Sequence, residues 1–263
     1  MARLQPYVQV LYQQILNSIA KIASFRFNVL LNIIVELSGF LTTYLAARFI
    51  FDHVDHIGPW NRPQFMMYIF WYQTVMCVHT SVIAPNFWNF ATEVRTGSLD
   101  FRLLRPLGSL FDVFTAIQRP ASLLIAPLNI GLLIYYGLQV KLTLLAWILL
   151  PLLLVMSLTL VFLIEMSISM SIFWTTAGDG INFLRMQGQQ LQKWPDYVYP
   201  ERIRRFLSTA LPILIAITFP VRFVIDQSEW RGVVWVLIAI VAFWTMCGFL
   251  WKQGLRHYES ASS

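Results

Sequence analysis

Three acidic or imidazole side chains could carry proton chemistry at or near a membrane: Glu36, His79 and Asp179. A hydrolase or transferase buried in a membrane would need at least two of them to cooperate, and no pair has a spacing that favours this. A second group, Asp52, His53, Asp55 and His56, has metal-capable side chains within five residues. So short a cluster reads as solvated loop polarity, not as a ligand set, and no metal is expected. The chain contains no Gly-x-x-x-x-Gly-Lys-Ser/Thr phosphate loop, no Gly-x-Ser-x-Gly elbow and no His-Glu-x-x-His pair. It is expected not to be an enzyme and to bind no cofactor itself.

The remaining chemistry is that of recognition. The string EVRTGSLDFRLLRPL at residues 93–107 is charged and amphipathic, and it lies between two long apolar runs. Hydrocarbon rejects such charges, so this stretch belongs in water or at the headgroups, held by a membrane span on each side. Leu99, Phe101, Leu103 and Leu104 offer an apolar ridge; Glu93, Arg95, Asp100, Arg102 and Arg105 offer charge complementarity. Gly97 permits a sharp turn, and Pro106 ends a helix or restarts the chain. The residues alone fit a docking surface and an ordinary capped connection equally well.

The elements that must position this stretch follow from composition. Hydrophobic residues make up 57% of the chain and charged ones 12%, against roughly 45–50% and about 25% in soluble domains. All 263 residues therefore read as one all-α, polytopic membrane domain. Crossing about 30 Å of hydrocarbon takes about 20 apolar residues. Residues 27–51, 65–90, 115–138, 142–176 and 233–251 meet that requirement. A sixth candidate, 206–225, holds Pro212 and Pro220, so residues 195–226 form a broken span or a re-entrant hairpin. Residues 1–25 alternate polar groups with a helical apolar stripe from Leu4 to Ala23, which predicts an interfacial amphipathic helix and no cleavable signal. Residues 93–111 form the cytosolic segment between spans two and three.

Lys and Arg asymmetry sets the orientation. With six crossings and the N-terminus inside, all but Arg48, Arg62, Lys141, Arg222 and Arg231 of the 19 basic residues fall on the inner side, and both termini are cytosolic. If residues 178–197 instead make a short polar crossing, residues 194–205 move to the outer face with the parity unchanged. The net charge of +6 fits this bias and anionic lipid, with no nucleic-acid stripe. Cys77 and Cys247 lie in apolar runs and read as packing residues. Glu36 and Glu165, with Gln73 and His79, are the candidates for a translocation path, because polar groups at membrane depth usually face the protein interior. Hydrogen bonding between helices is the alternative for Gln73, His79, Asn32 and Asn86.

Taken in order, EVRTGSLDFRLLRPL after the second span, KWPDYVYP at 193–200 and GLRHYESA at 254–261 resemble the membrane subunits of ATP-binding-cassette exporters, of the type-two export permease kind. The likeness spans nearly the whole chain. It implies a cytosolic coupling helix at 93–106 seated in a cleft of an ATPase partner, which would bind ATP and Mg. It also implies a second permease subunit, identical or homologous, completing the path in a bacterial inner membrane. The cargo implied is amphipathic or lipid-like. An ion-driven carrier or channel is the alternative function, disfavoured by the lack of an internal repeat or an acidic relay.

Overall fold

The computed structural model describes residues 26–105, 108–175, 178–209 and 211–258, together with Gln9, Gln13, Gln14 and Leu16. Apart from those four residues, the expected interfacial helix at 1–25 lies outside the described residues, as does Pro106.

Eleven α-helices and one short hairpin make up the described chain. Helix α1 is Arg26–Phe51, and the hairpin β1–β2 (His56–Ile57, Trp60–Asn61) follows. Helix α2, Arg62–Val78, begins at a capping box: Asn61 accepts from the Gln64 amide at 3.1 Å and Gln64 returns to the Asn61 amide at 3.0 Å, with Pro63 in the first turn. It continues through a π-turn at His79–Ile83 into α3, Ala84–Thr96. The short α4, Asp100–Leu103, and α5, Ser109–Thr115, follow. A 3-10 turn at Pro120–Ile125 leads into α6, Ala126–Val140. Helix α7, Leu144–Ser169, tightens into a 3-10 turn at Met170–Trp174, and α8 is Gly178–Gln192. The chain closes with α9, Glu201–Thr209, α10, Ile215–Ile225, and α11, Trp230–His257.

Among the described residues, four helical stretches are long and apolar enough to cross a membrane: Leu30–Phe51, Pro120–Val140, Leu144–Trp174 and Gln227–His257. The chain is a multi-pass helical membrane protein. Its second apolar run is less hydrophobic for a structural reason. Helix α2 is the centre of the bundle, with Phe65 to Trp71 fully buried by protein. A helix screened from lipid can carry Tyr68, Trp71 and Tyr72, provided each polar tip finds a partner. Tyr68 Oη donates to the Gln192 and Trp194 carbonyls at 2.7 and 3.1 Å, and Trp71 Nε1 donates to Ser157 Oγ at 3.1 Å. The π-turn frees the Ser81 carbonyl from the helix ladder, and the Arg119 amide takes it up at 2.7 Å. Asn86 holds the same loop, donating to the Ile117 carbonyl at 2.9 Å and accepting from its amide at 2.8 Å.

Contacts sort the loops to two opposite ends of the bundle. At the hairpin end, the Tyr197 ring meets Trp60 at 6.0 Å and covers Gly58, and Gln227 reaches Thr143. At the other end, Arg95 stands 3.9 Å from Asp179, Trp251 Nε1 donates to Ser109 Oγ at 3.2 Å, and Phe173 packs on Trp251 and Tyr258. Helix α8 therefore runs from one end to the other, and α9 and α10 leave the hairpin end and return to it.

The contacts bear on the two placements left open for residues 194–205. Lys193, Arg202, Arg204 and Arg205, counted on the inner side from sequence, lie at the hairpin end, where Arg204 stacks on Tyr197 at 5.5 Å. Arg185 leaves the count altogether, being 1% exposed. The expected span at 206–225 is divided: α9 ends at Thr209 and α10 begins at Ile215.

Candidate functional site

Helix α3 stops at Gly97, whose φ of 75° is left-handed, a conformation that costs other residues a clash at Cβ. The turn sends the chain back along α3, and the Leu99 amide closes on the Glu93 carbonyl at 3.3 Å. Leu99, fully buried, packs with Phe87, Phe90, Val113 and Trp251, and Leu103 lies against the same cluster. Phe101 and Leu104 point away from it and are 74% and 82% exposed. The apolar ridge expected at 99–104 is therefore two edges: one anchors the turn, and one is presented to solvent.

The charges divide in the same way. Arg102 Nε donates to Glu93 Oε1 at 2.8 Å, and its Nη1 reaches Asp112 Oδ2 at 3.3 Å and the Asp112 carbonyl at 3.4 Å. Arg105 Nη1 reaches both Asp112 oxygens at 3.1 Å. Glu93 and Asp112 are buried, so neither carboxylate is available to an outside partner, contrary to the complementarity expected of Glu93 and Arg102. Arg95 and the outer part of Arg105 stay accessible, with about half or more of each side chain exposed. Tyr258, from the closing helix, lies beside this cluster. Burial, then the Asp100 carboxylate and Glu93, push its phenol above its ordinary value.

The path candidates fall elsewhere and do not share a surface. Glu36 is half-buried and accepts from Ser122 Oγ at 3.0 Å, while Gln73 is half-buried on α2. His79 and Glu165 are 1% and 3% exposed and paired at 2.9 Å. Glu165 also accepts from Arg185 Nη1 at 2.8 Å and Gln189 Nε2 at 2.7 Å. Arg185 bonds Asn182 and lies over the Phe87 ring at 4.7 Å. A carboxylate with these neighbours ties α7 to the π-turn at His79 and to α8. Arg185 is the partner that sequence reasoning missed. Its signal was present: Asn182, Arg185, Gln189 and Gln192 form one polar stripe along α8. Asp112 was missed too, and no local pattern marks it as the acceptor of two arginines. In the first loop, His53 Nδ1 bonds the Phe49 carbonyl at 2.9 Å and Asp52 faces Arg62 at 3.9 Å.

A polytopic helical bundle with a folded-back polar segment between its second and third apolar runs defines a multi-pass membrane protein. The chain belongs to the ABC-2 family of transporter proteins, whose model matches residues 37–262. Members are the transmembrane parts of ATP-binding-cassette transporters and work with ATP-binding-cassette ATPase subunits. No curated protein and no solved structure matches the chain significantly.

Proposed function

We propose that this chain is the permease subunit of an ATP-driven exporter, and that the turn at 97–105 is its coupling element. The observation that carries the reading is the pair of bare apolar side chains, Phe101 and Leu104, on a short helix whose opposite side is locked into the bundle. Large apolar groups held out by a rigid base are what a cleft on a partner recognises. ATP-driven closure of two ATPase subunits would push on paired turns, and the force would enter the bundle through α3 and α5. ATP and Mg belong to the partner.

In this reading the membrane is crossed six times, by α1, the α2–α3 rod, α6, α7, α8 and α11, with α9 and α10 re-entrant from the outer face. The handle end faces the cytosol of a bacterial inner membrane. A polar helix such as α8 is costly in lipid, and its Gln187 and Gln190 are exposed about 14–18 Å along it. They support a water-bearing path shared with a second permease, and they replace His79 and Glu165 as its lining. Phe183, exposed on the same helix, fits an amphipathic or lipid-like cargo.

The test is co-purification of the ATPase with wild-type protein and with Phe101→Asp/Leu104→Asp. The double variant should fold and lose the ATPase; a complex retained at wild-type stoichiometry would remove the coupling assignment.

A further inference from the structure

Four charged groups, Glu93 on α3, Arg102 on α4, Asp112 on α5 and Arg105 just after α4, meet behind the coupling turn, and Arg102 is the only one of them that touches two of the others through separate donors. Its Nε serves Glu93 at the end of α3, and its Nη1 serves Asp112 in the first turn of α5. Glu93 Oε1 is shared with Asn89 Nδ2 at 2.5 Å, one turn back on α3, which fixes the carboxylate that Arg102 grips. Arg105 neutralises Asp112 from the solvent side, with its side chain 51% exposed against 12% for Arg102. Phe101 directly precedes Arg102, and Leu104 follows it by two residues, so both presented groups hang from the backbone that Arg102 ties down. Leu99 and Leu103 supply the apolar anchor of this stretch, and the bridge from Arg102 adds to it a polar tie to both α3 and α5.

We infer that Arg102 is the positioning residue of the coupling turn: by bridging Glu93 and Asp112 it helps set the angle at which Phe101 and Leu104 are presented, and it joins α3 to α5 so that a push on the turn reaches the α2–α3 rod and the segment leading to α6 together. The purpose of the bridge rests on the docking reading; its geometry does not. A planar guanidinium suits the task because its donors diverge in one plane toward two separate acceptors, whereas a lysine ammonium is a single point at the end of a flexible stem. Without the guanidinium, Glu93 and Asp112 are buried carboxylates that repel each other, and only a half-exposed Arg105 remains to offset them.

The test is the width of the distance distribution between nitroxides at Leu104→Cys and Lys252→Cys in the reconstituted full chain, since Lys252 is exposed on α11 and the native Cys77 and Cys247 are buried. One narrow distribution is expected with Arg102, a broad one with Arg102→Gln, and an intermediate one with Arg102→Lys. A distribution in both variants as narrow as the parent's overturns the inference, and Arg102→Lys alone decides it should Arg102→Gln fail to fold. ATPase affinity, measured with the unlabelled proteins, separates the two readings. Arg102→Gln should weaken it on the order of tenfold, together with a fall in Tm, because Glu93 and Asp112 lose their shared buried counter-charge. If the wild type recruits no ATPase while the distribution still broadens, the docking reading fails and the positioning role stands.

Discussion

Glu165 shows how a carboxylate is kept at membrane depth: three side chains satisfy it, His79 from the π-turn and Arg185 and Gln189 from α8. Glu165→Gln would leave Arg185 without its counter-charge, and breaking a buried pair in this way costs about 3–5 kcal/mol. Thermal unfolding in detergent should show the loss, with Gln73→Ala, at a half-buried position, as the mild comparison. Close packing makes a second residue-scale claim. A Cβ on Gly254 would stand 2.1 Å from the Phe173 ring, so Gly254→Ala must displace that ring from Trp251 and Tyr258. Overpacking of this kind costs about 1–3 kcal/mol, measurable as a lowered Tm. At this scale the sequence was partly legible. The acidic residues stood out from their apolar surroundings, but their partners lie 86 and 20 residues away along the chain, and no local pattern joins positions so distant.

The helices were easier to read than their roles. Apolar runs at 27–51, 115–138, 142–176 and 233–251 overlap the four long apolar helices, because hydropathy over about 20 residues reports burial in lipid or protein directly. The same measure undervalues a helix that is polar because it is shielded. Helix α8 carries Asn182, Arg185, Gln189 and Gln192 inward, and a count of charges assigned it to a loop. Helix α9 ends at Thr209 and α10 begins at Ile215, and Pro212 between them removes a donor from the backbone ladder. The turn after α3 tests the element directly. Gly97→Ala places a Cβ in a left-handed conformation, with a penalty of about 1–2 kcal/mol. Its effect should appear as weakened ATPase binding together with a small fall in Tm, because the turn sets where α4 begins.

For the whole molecule, the sorting of loops to two ends replaces charge as the basis of topology. Residues 52–61, 141–143, 194–200 and 226–229 share one end through Trp60, Tyr197, Arg222 and Asp196, the last two paired at 2.6 Å. The turn at 97–105 and the end of α11 share the other through Trp251 and Tyr258. A membrane-impermeant maleimide applied to intact cells should label Asp55→Cys and spare Lys252→Cys, both exposed in the fold; the reverse pattern would invert the orientation. The central claim is that Phe101 and Leu104 meet an ATPase on the cytosolic side. A photo-crosslinking amino acid placed at Leu104 in cell membranes tests it most directly: irradiation should join this chain to an ATP-binding-cassette ATPase subunit, and a crosslink formed only to lipid, or to a protein outside the cell, would contradict the account.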